Sequence, residues 1–134
     1  MTRPIPEPPE TYTYELPGGW IVLAGKTDSD NDRLSIAFAH PRDWWFHVRS
    51  MPGSHVLLRA KEAGEEPGAG ILKAAAAIAA WHSKARSAGI VPVSCTRAQY
   101  VTKPRGARPG TVTIRKEQIF KVRPAIPKPS EASE

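Results

Sequence analysis

The sequence contains a single cysteine, Cys95, among 134 residues. An internal disulfide is excluded, and so is any zinc site assembled from paired cysteines. No stretch approaches the ~18 uninterrupted apolar residues that a spanning helix needs. The alanine-rich run near the middle is broken by Lys73, His82 and Lys84. The first six residues, Met1 to Pro6, lack the apolar segment of a secretory signal. Catalytic signatures are missing as well: there is no Gly-x-Ser-x-Gly elbow, no His-Glu-x-x-His helix and no Walker loop. The expectation is a reduced, cytoplasmic protein with no membrane segment, no metal and no cofactor.

What is present fits one domain, since domains cluster near ~100–150 residues. Hydrophobic residues make up 40% of the chain, enough for one core. Charge is unevenly placed. Residues 1–66 carry seven basic and ten acidic side chains, a net of −3, whereas residues 67–134 carry twelve basic and three acidic, a net of +9. Such polarity points to a polyanionic partner, most simply a nucleic acid, with a solvated basic surface as the alternative.

Both ends are expected to be disordered. Four prolines fall within residues 1–10, and residues 124–134 read PAIPKPSEASE; proline at that density blocks helices and sheet ladders. The sequence therefore divides into a tail at 1–11, a folded body at 12–123 and a second tail at 124–134. In the body, residues 20–24 read as a strand after Pro-Gly-Gly, residues 28–32 as a turn cluster, and residues 34–38 as an alternating strand. Residues 44–48 and 55–59 make two more strands, and 61–70 a polar loop. The period then changes: residues 70–87 form the strongest helix signal, bracketed by Pro67 and Gly89. Its alanines allow close approach to a sheet. Short strands follow at 91–93, 98–101, 111–114 and 118–122. The expected fold class is α+β: a mixed or antiparallel sheet packed on one long Ala-rich helix.

Three clusters bear on function. Residues 101–110 (VTKPRGARPG) place Lys103, Arg105 and Arg108 on a loop with two prolines and two glycines. Prolines stiffen such a loop, glycines let its backbone approach an anion, and the cations contact phosphate. Lys84 and Arg86 near the helix C-terminus either complement the helix dipole or extend an anion-binding face. The third cluster runs from Asp43 to His55. Alternation puts Trp45 and His47 on one strand face and Trp44, Phe46 and Val48 on the other. A nucleophilic triad drawn from Ser54, His55 or His47, and Asp43 is poor geometry, because neighbouring residues of an extended strand face opposite ways. Structural histidines, or rings stacking on unpaired bases, are the other readings.

The same clusters, in this order, resemble the NFACT-R family, formerly domain of unknown function 814. The matching segments are Gly25-Lys26 with Asn31-Asp32, DWWFHVR from Asp43, PGSHVLLR from Pro52 and the helix ending Ser83-Lys84-Ala85-Arg86. Val91-Pro92-Val93 with Thr96 follows, then VTKPRGARPGTV from Val101. The likeness spans about residues 20–123. It implies an RNA-binding module of the kind found at the C-terminus of ribosome quality-control factors of the RqcH/NEMF type. Those factors work with tRNA and a large ribosomal subunit carrying a stalled chain; the older fibronectin-binding label on some relatives is a label only. Their other domains are not seen here, so a stand-alone version is expected. On this reading the chain is non-enzymatic and binds tRNA or ribosomal RNA. Lys103, Arg105 and Arg108 grip phosphates, helped by Lys84, Arg86 and Arg49, while His47, His55 and Trp45 stack on a base or brace the loop. The alternatives are a nucleic-acid-processing enzyme using His47 or His55, and a ribosomal protein adaptor with an apolar patch around Trp20, Trp44 and Tyr100.

Overall fold

A computed structural model describes residues 7–127 of the chain. Six strands form one antiparallel sheet in the order β1-β2-β4-β3-β5-β8. These are β1 (Thr11–Leu16), β2 (Trp20–Gly25), β3 (Trp44–Val48), β4 (Val56–Leu58), β5 (Val91–Arg97) and β8 (Gln118–Val122). A two-stranded hairpin, β6 (Val101–Thr102) with β7 (Thr113–Ile114), stands apart from it. The α+β class is as expected, and the sheet is antiparallel throughout.

The sheet is covered on both faces, and the pleat decides which residue goes where. On one face Val22, Ala24, Phe46, Val48, Val56, Leu58, Val93 and Cys95 are buried beneath helix α2 (Ala69–Trp81). Ala75, Ala76, Ala79 and Ala80 are buried with Ile78, so small side chains separate helix and sheet backbones. Each fully buried Val, Leu or Phe contributes roughly 1.5–3 kcal/mol, which makes this layer the main source of stability. On the opposite face Trp45 and Leu57 pack with Leu34, Ala98 and Val101 into a smaller core. The 44–48 alternation is thus realised as read, with Trp45 and Phe46 in different cores.

Several local expectations are corrected. Residues 28–32 form a short helix, α1 (Asp28–Asp32), rather than a turn. Thr27 caps it: its side chain accepts from Asp30 N–H, and the Asp30 carboxylate accepts from Thr27 N–H in return. Residues 34–38 are not a strand. They continue from α1 as a π-helix (Arg33–Phe38), in which Leu34 is buried while Ile36 and Phe38 are exposed. Helix α2 stops at Trp81 rather than Ser87 because the chain beyond it bonds elsewhere. Ser54 N–H donates to His82 O at 2.8 Å, Lys84 N–H donates to Pro52 O at 3.2 Å, and Gly53 and Ser83 form a β-bridge. The Ser83 hydroxyl donates to Ala80 O and Arg86 Nε to Trp81 O, which closes the helix end. Residues 98–101 begin as one turn of 3₁₀-helix (Ala98–Tyr100), and the strand expected at 91–93 runs on to Arg97.

The body reaches past both ends of 12–123. Thr11 starts β1, Glu10 N–H donates to Asp30 Oδ1 at 3.0 Å, Ala125 N–H donates to Ala77 O, and Ile126 packs on the main core. The disorder expected for the tails falls largely on residues 1–6 and 128–134, which lie outside the described residues.

Candidate nucleic-acid interface

Residues 103–112 form the tip of the β6–β7 hairpin and fold into two tight turns. Ala107 N–H donates to Pro104 O at 3.1 Å and Thr111 N–H to Arg108 O at 3.0 Å. Gly106 and Gly110 occupy the third position of their turns with φ of 76° and 85°, a conformation that type II turns demand and glycine supplies without strain. Arg105 and Arg108 stand at turn positions and are exposed.

This tip is docked rather than free. Lys103 Nζ lies 3.1 Å from Asp32 Oδ2 and donates to the carbonyls of Thr111, at 3.0 Å, and Arg108. Gly110 N–H donates to Asp32 Oδ1 at 2.9 Å. Lys103 thus bridges its own loop and Asp32.

His55 supplies the second anchor. Its Nε2 lies 3.0 Å from Gly110 O, and a carbonyl can only accept, so the proton sits on Nε2. Its Nδ1 then accepts from the Ser35 hydroxyl at 2.7 Å, and the Ser35 oxygen accepts from Trp45 Nε1 at 2.8 Å. Neutral imidazole satisfies every link of this Trp45–Ser35–His55–Gly110 relay. Burial, with His47 beside it, pushes the His55 pKa down to about 4. His55 and Trp45 are each 2% exposed, which rules out direct stacking on a base and leaves the bracing role. His47 is half-buried, its ring 5.5 Å from His55 and 6.0 Å from Trp45, and desolvation lowers its pKa.

The nucleophilic triad is not assembled. The Ser54 hydroxyl donates to Gly25 O at 2.7 Å. Asp43 is fully buried and accepts from His40 N–H, Ala60 N–H and Arg59 Nη1, the last at 2.6 Å. The thiol of Cys95 is buried and its pKa pushed up to about 12. Among the described residues no three His, Cys, Asp or Glu side chains converge as metal ligands, and no helix is long and apolar enough to cross a membrane. The apolar patch needed by an adaptor is not built from the expected residues. Trp20 is buried, Trp44 lies beneath the Arg97 guanidinium at 3.7 Å, and Tyr100 sits under Arg115 and Lys116.

Beside the docked loop lies a cleft of about 370 Å³. Its floor is the contact between Gly53 and Ser83, where a Cβ on Gly53 would stand 2.8 Å from the Ser83 Cβ. Glycine is required for that approach. Tyr12, Lys26, Asp28, Lys84 and Arg86 surround it. Loop and cleft adjoin, because a Cβ on Gly110 would lie 3.0 Å from Asp28 Oδ1. Lys84 and Arg86, grouped by sequence with the loop cations, are thus brought to the same region as Arg105 and Arg108. Arg49 is engaged elsewhere, 3.7 Å from Glu117. Tyr12 does not stand out in the sequence as a binding residue, and Lys26 appears there only in the Gly25-Lys26 segment of the family resemblance. The available signal is the Thr-Tyr-Thr-Tyr alternation of β1, which sets Tyr12 on an exposed edge beside the Lys26 strand end.

The pairing of cations separates two populations. Arg33, Arg42, Arg49, Arg59, Lys61, Arg97 and Lys103 each lie within 4.0 Å of a carboxylate. Ten have no carboxylate partner among the described residues: Lys26, Lys84, Arg86, Arg105 and Arg108 ring the cleft and crown the loop, while Lys73 lies on α2 and Arg115, Lys116, Lys121 and Arg123 lie on and around β8.

An α+β domain that sets five of its ten unpaired cations on one docked loop and one adjoining cleft offers an anion-binding surface there. Residues 11–116 match the model of the NFACT protein RNA binding domain, and the chain belongs to that family. It is 39% identical over 119 residues to the Rqc2 homolog RqcH of Bacillus subtilis (strain 168), covering 89% of this chain and 20% of that protein. The RqcH of Streptococcus suis (strain 05ZYH33) is 36% identical over 116 residues, covering 87% of this chain and 20% of that one. The chain thus spans about a fifth of the length of these relatives. A solved structure, the C-terminal part of the fibronectin/fibrinogen-binding protein from Streptococcus suis, superposes with a TM-score of 0.80 at 33% identity. The superposition covers 93% of this chain and 49% of that one.

Proposed function

We propose that this chain is a non-enzymatic RNA-binding module that grips tRNA or ribosomal RNA in cytoplasmic ribosome-associated quality control, on a large ribosomal subunit. The observation that carries this reading is that five of the ten cations without carboxylate partners among the described residues, Lys26, Lys84, Arg86, Arg105 and Arg108, stand on the docked loop or line the cleft beside it. Cations held apart from internal acids keep their full attraction for phosphate. In this account Arg105 and Arg108 contact the RNA backbone, with Lys84 and Arg86 alongside. Lys103, His55 and Trp45 hold the loop in place rather than touch RNA. The family match supports RNA as the partner, and RqcH relatives support the quality-control setting.

The non-enzymatic part is supported by the state of the histidines. His55 has both ring nitrogens engaged, and Asp43 is tied to Arg59 instead of to an imidazole. A general acid or base needs a titrating group within reach of substrate, and buried His55 offers none. Crosslinking in cells followed by sequencing of the bound RNA tests the proposal. Enrichment of tRNA or ribosomal RNA is expected; recovery of neither contradicts it.

A further inference from the structure

Resting on the RNA-binding reading, we infer that the cleft beside the loop seats one unpaired nucleotide, its base against Tyr12 and its phosphate among Lys26, Lys84 and Arg86. Three observations converge on it. The first is charge: three cations with no carboxylate partner among the described residues face Asp28 as the lone acid of the lining. A phosphate matches the cations, and the carboxylate matches an N–H on a base edge, so the pair of features fits a nucleotide better than a bare anion.

The second is the aromatic rim. Tyr12 is 45% exposed, its ring backed by His82 with centroids 4.5 Å apart and planes within 17°. The Lys26 ammonium stands over the ring 5.0 Å from its centroid, so a base takes the ammonium's place as Lys26 turns to the phosphate. His82 is fixed in turn, since its Nε2 lies 2.6 Å from the Tyr14 hydroxyl. Burial raises the Tyr14 pKa and lowers that of His82, so a neutral phenol donates to a neutral imidazole and the support is not lost near neutral pH. A pre-ordered ring loses little freedom when a base lies against it, and base–aromatic contacts are tolerant of sequence.

The third is shape. About 370 Å³ is within the usual range of small-ligand pockets. The floor is held because Pro52 to Ser54 is bonded to His82 to Lys84 through the two backbone hydrogen bonds of a β-bridge. The depression opens broadly to solvent, so a base splayed out of a single strand can reach Tyr12 from above, the way proteins read unpaired RNA.

The test compares a short labelled oligoadenylate with the same strand paired to oligouridylate, at one salt concentration, for wild type, Tyr12→Ala, Tyr12→Phe and Arg105→Ala/Arg108→Ala. Tyr12→Ala is expected to weaken the single strand by roughly 5- to 100-fold, from the usual worth of a base–aromatic contact. It should leave the duplex unchanged, and Tyr12→Phe should bind like wild type. Adenosine monophosphate should displace the single strand at concentrations where inorganic phosphate does not. Should Tyr12→Ala unfold, Tyr12→Leu, which keeps the volume and removes the ring, carries the same comparison, with loss again confined to the single strand. Equal loss on both RNAs, no loss on either, or equal displacement by phosphate and the nucleotide would each overturn the nucleotide seat. If the arginine pair still matters in those cases, RNA binding by the loop stands without it. Failure of wild type to bind either RNA overturns the nucleotide seat, and failure to bind tRNA and ribosomal RNA as well overturns the RNA-binding reading.

Discussion

Lys103 reaches back to Asp32 across a separation of 3.1 Å, so a cation at the base of the basic loop is an anchor for it. The same aspartate holds Gly110 N–H through its other oxygen, so the loop is tied to α1 at its base and at its second turn. The partners are each 24% exposed, so solvent screens the attraction and the pair contributes no more than about 1 kcal/mol to global stability. Its effect is local.

Lys103→Met should therefore change Tm little yet release the loop. Trypsin reports this directly. Lys103 and Arg108 are followed by proline, so the bond after Arg105 is the one open to cleavage within the tip. Faster cutting there in Lys103→Met and in Asp32→Asn than in wild type is the expected result. Unchanged cutting would mean that the clamp does not hold the loop.

Acid should destabilise the fold in a defined window. His55 has its pKa depressed from 6.5 to about 4. Below 6.5 the unfolded chain takes up a proton that the folded one refuses, so stability is full above 6.5 and declines as pH falls toward 4. The depression corresponds to roughly 3 kcal/mol at its acid limit. His47 and His82, also lowered, act in the same direction. Asp30 behaves separately: the hydrogen bond from Glu10 N–H, first among its contacts, holds its carboxyl below the usual range, so its loss comes at still lower pH. Urea unfolding at neutral pH and at mildly acidic pH measures this. Equal stability at both would show that His55 is not held neutral.

The alanine face of α2 should resist enlargement. Ala75 and Ala79 are fully buried against the sheet. Replacing either with Leu should cost ~1–3 kcal/mol by overpacking. Thermal melting checks it, and wild-type Tm values for both variants would place those positions at solvent.

Legibility followed the pleat and the turn residues. Trp44 to Val48 alternate so strictly that their two cores follow from sequence alone, and Pro104 to Gly110 announce a stiff double turn. Leu34, Ile36 and Phe38 mislead for a physical reason: their spacing is that of a strand, yet Thr27 and Asp30 have already nucleated a helix upstream, and the chain continues it. The Thr27-x-x-Asp30 box was the signal to weigh against the alternation. The early end of α2 is illegible locally, because it is caused by Pro52 and Ser54, which capture the backbone at His82 and Lys84. The same holds for the candidate site. Arg105 and Arg108 can be read from composition, but the diversion of Lys103 to Asp32 and of His55 to Gly110 depends on contacts far apart in sequence. The cleft draws on β1, α1 and the end of α2 at once, so no single segment reveals it.

The central claim is that the exposed arginines of the docked loop neutralise RNA phosphates. The most direct measurement is the dependence of RNA affinity on salt for wild type and for Arg105→Ala/Arg108→Ala. Each phosphate neutralised on a single strand contributes about −0.7 to the slope of log affinity against log salt. Both side chains are exposed, so the double variant should keep its fold, as surface changes usually cost within ~0.5 kcal/mol. A weaker affinity with a slope flatter by about 1.4 units is the predicted result. A folded double variant that binds tRNA or ribosomal RNA with the wild-type slope would contradict the account.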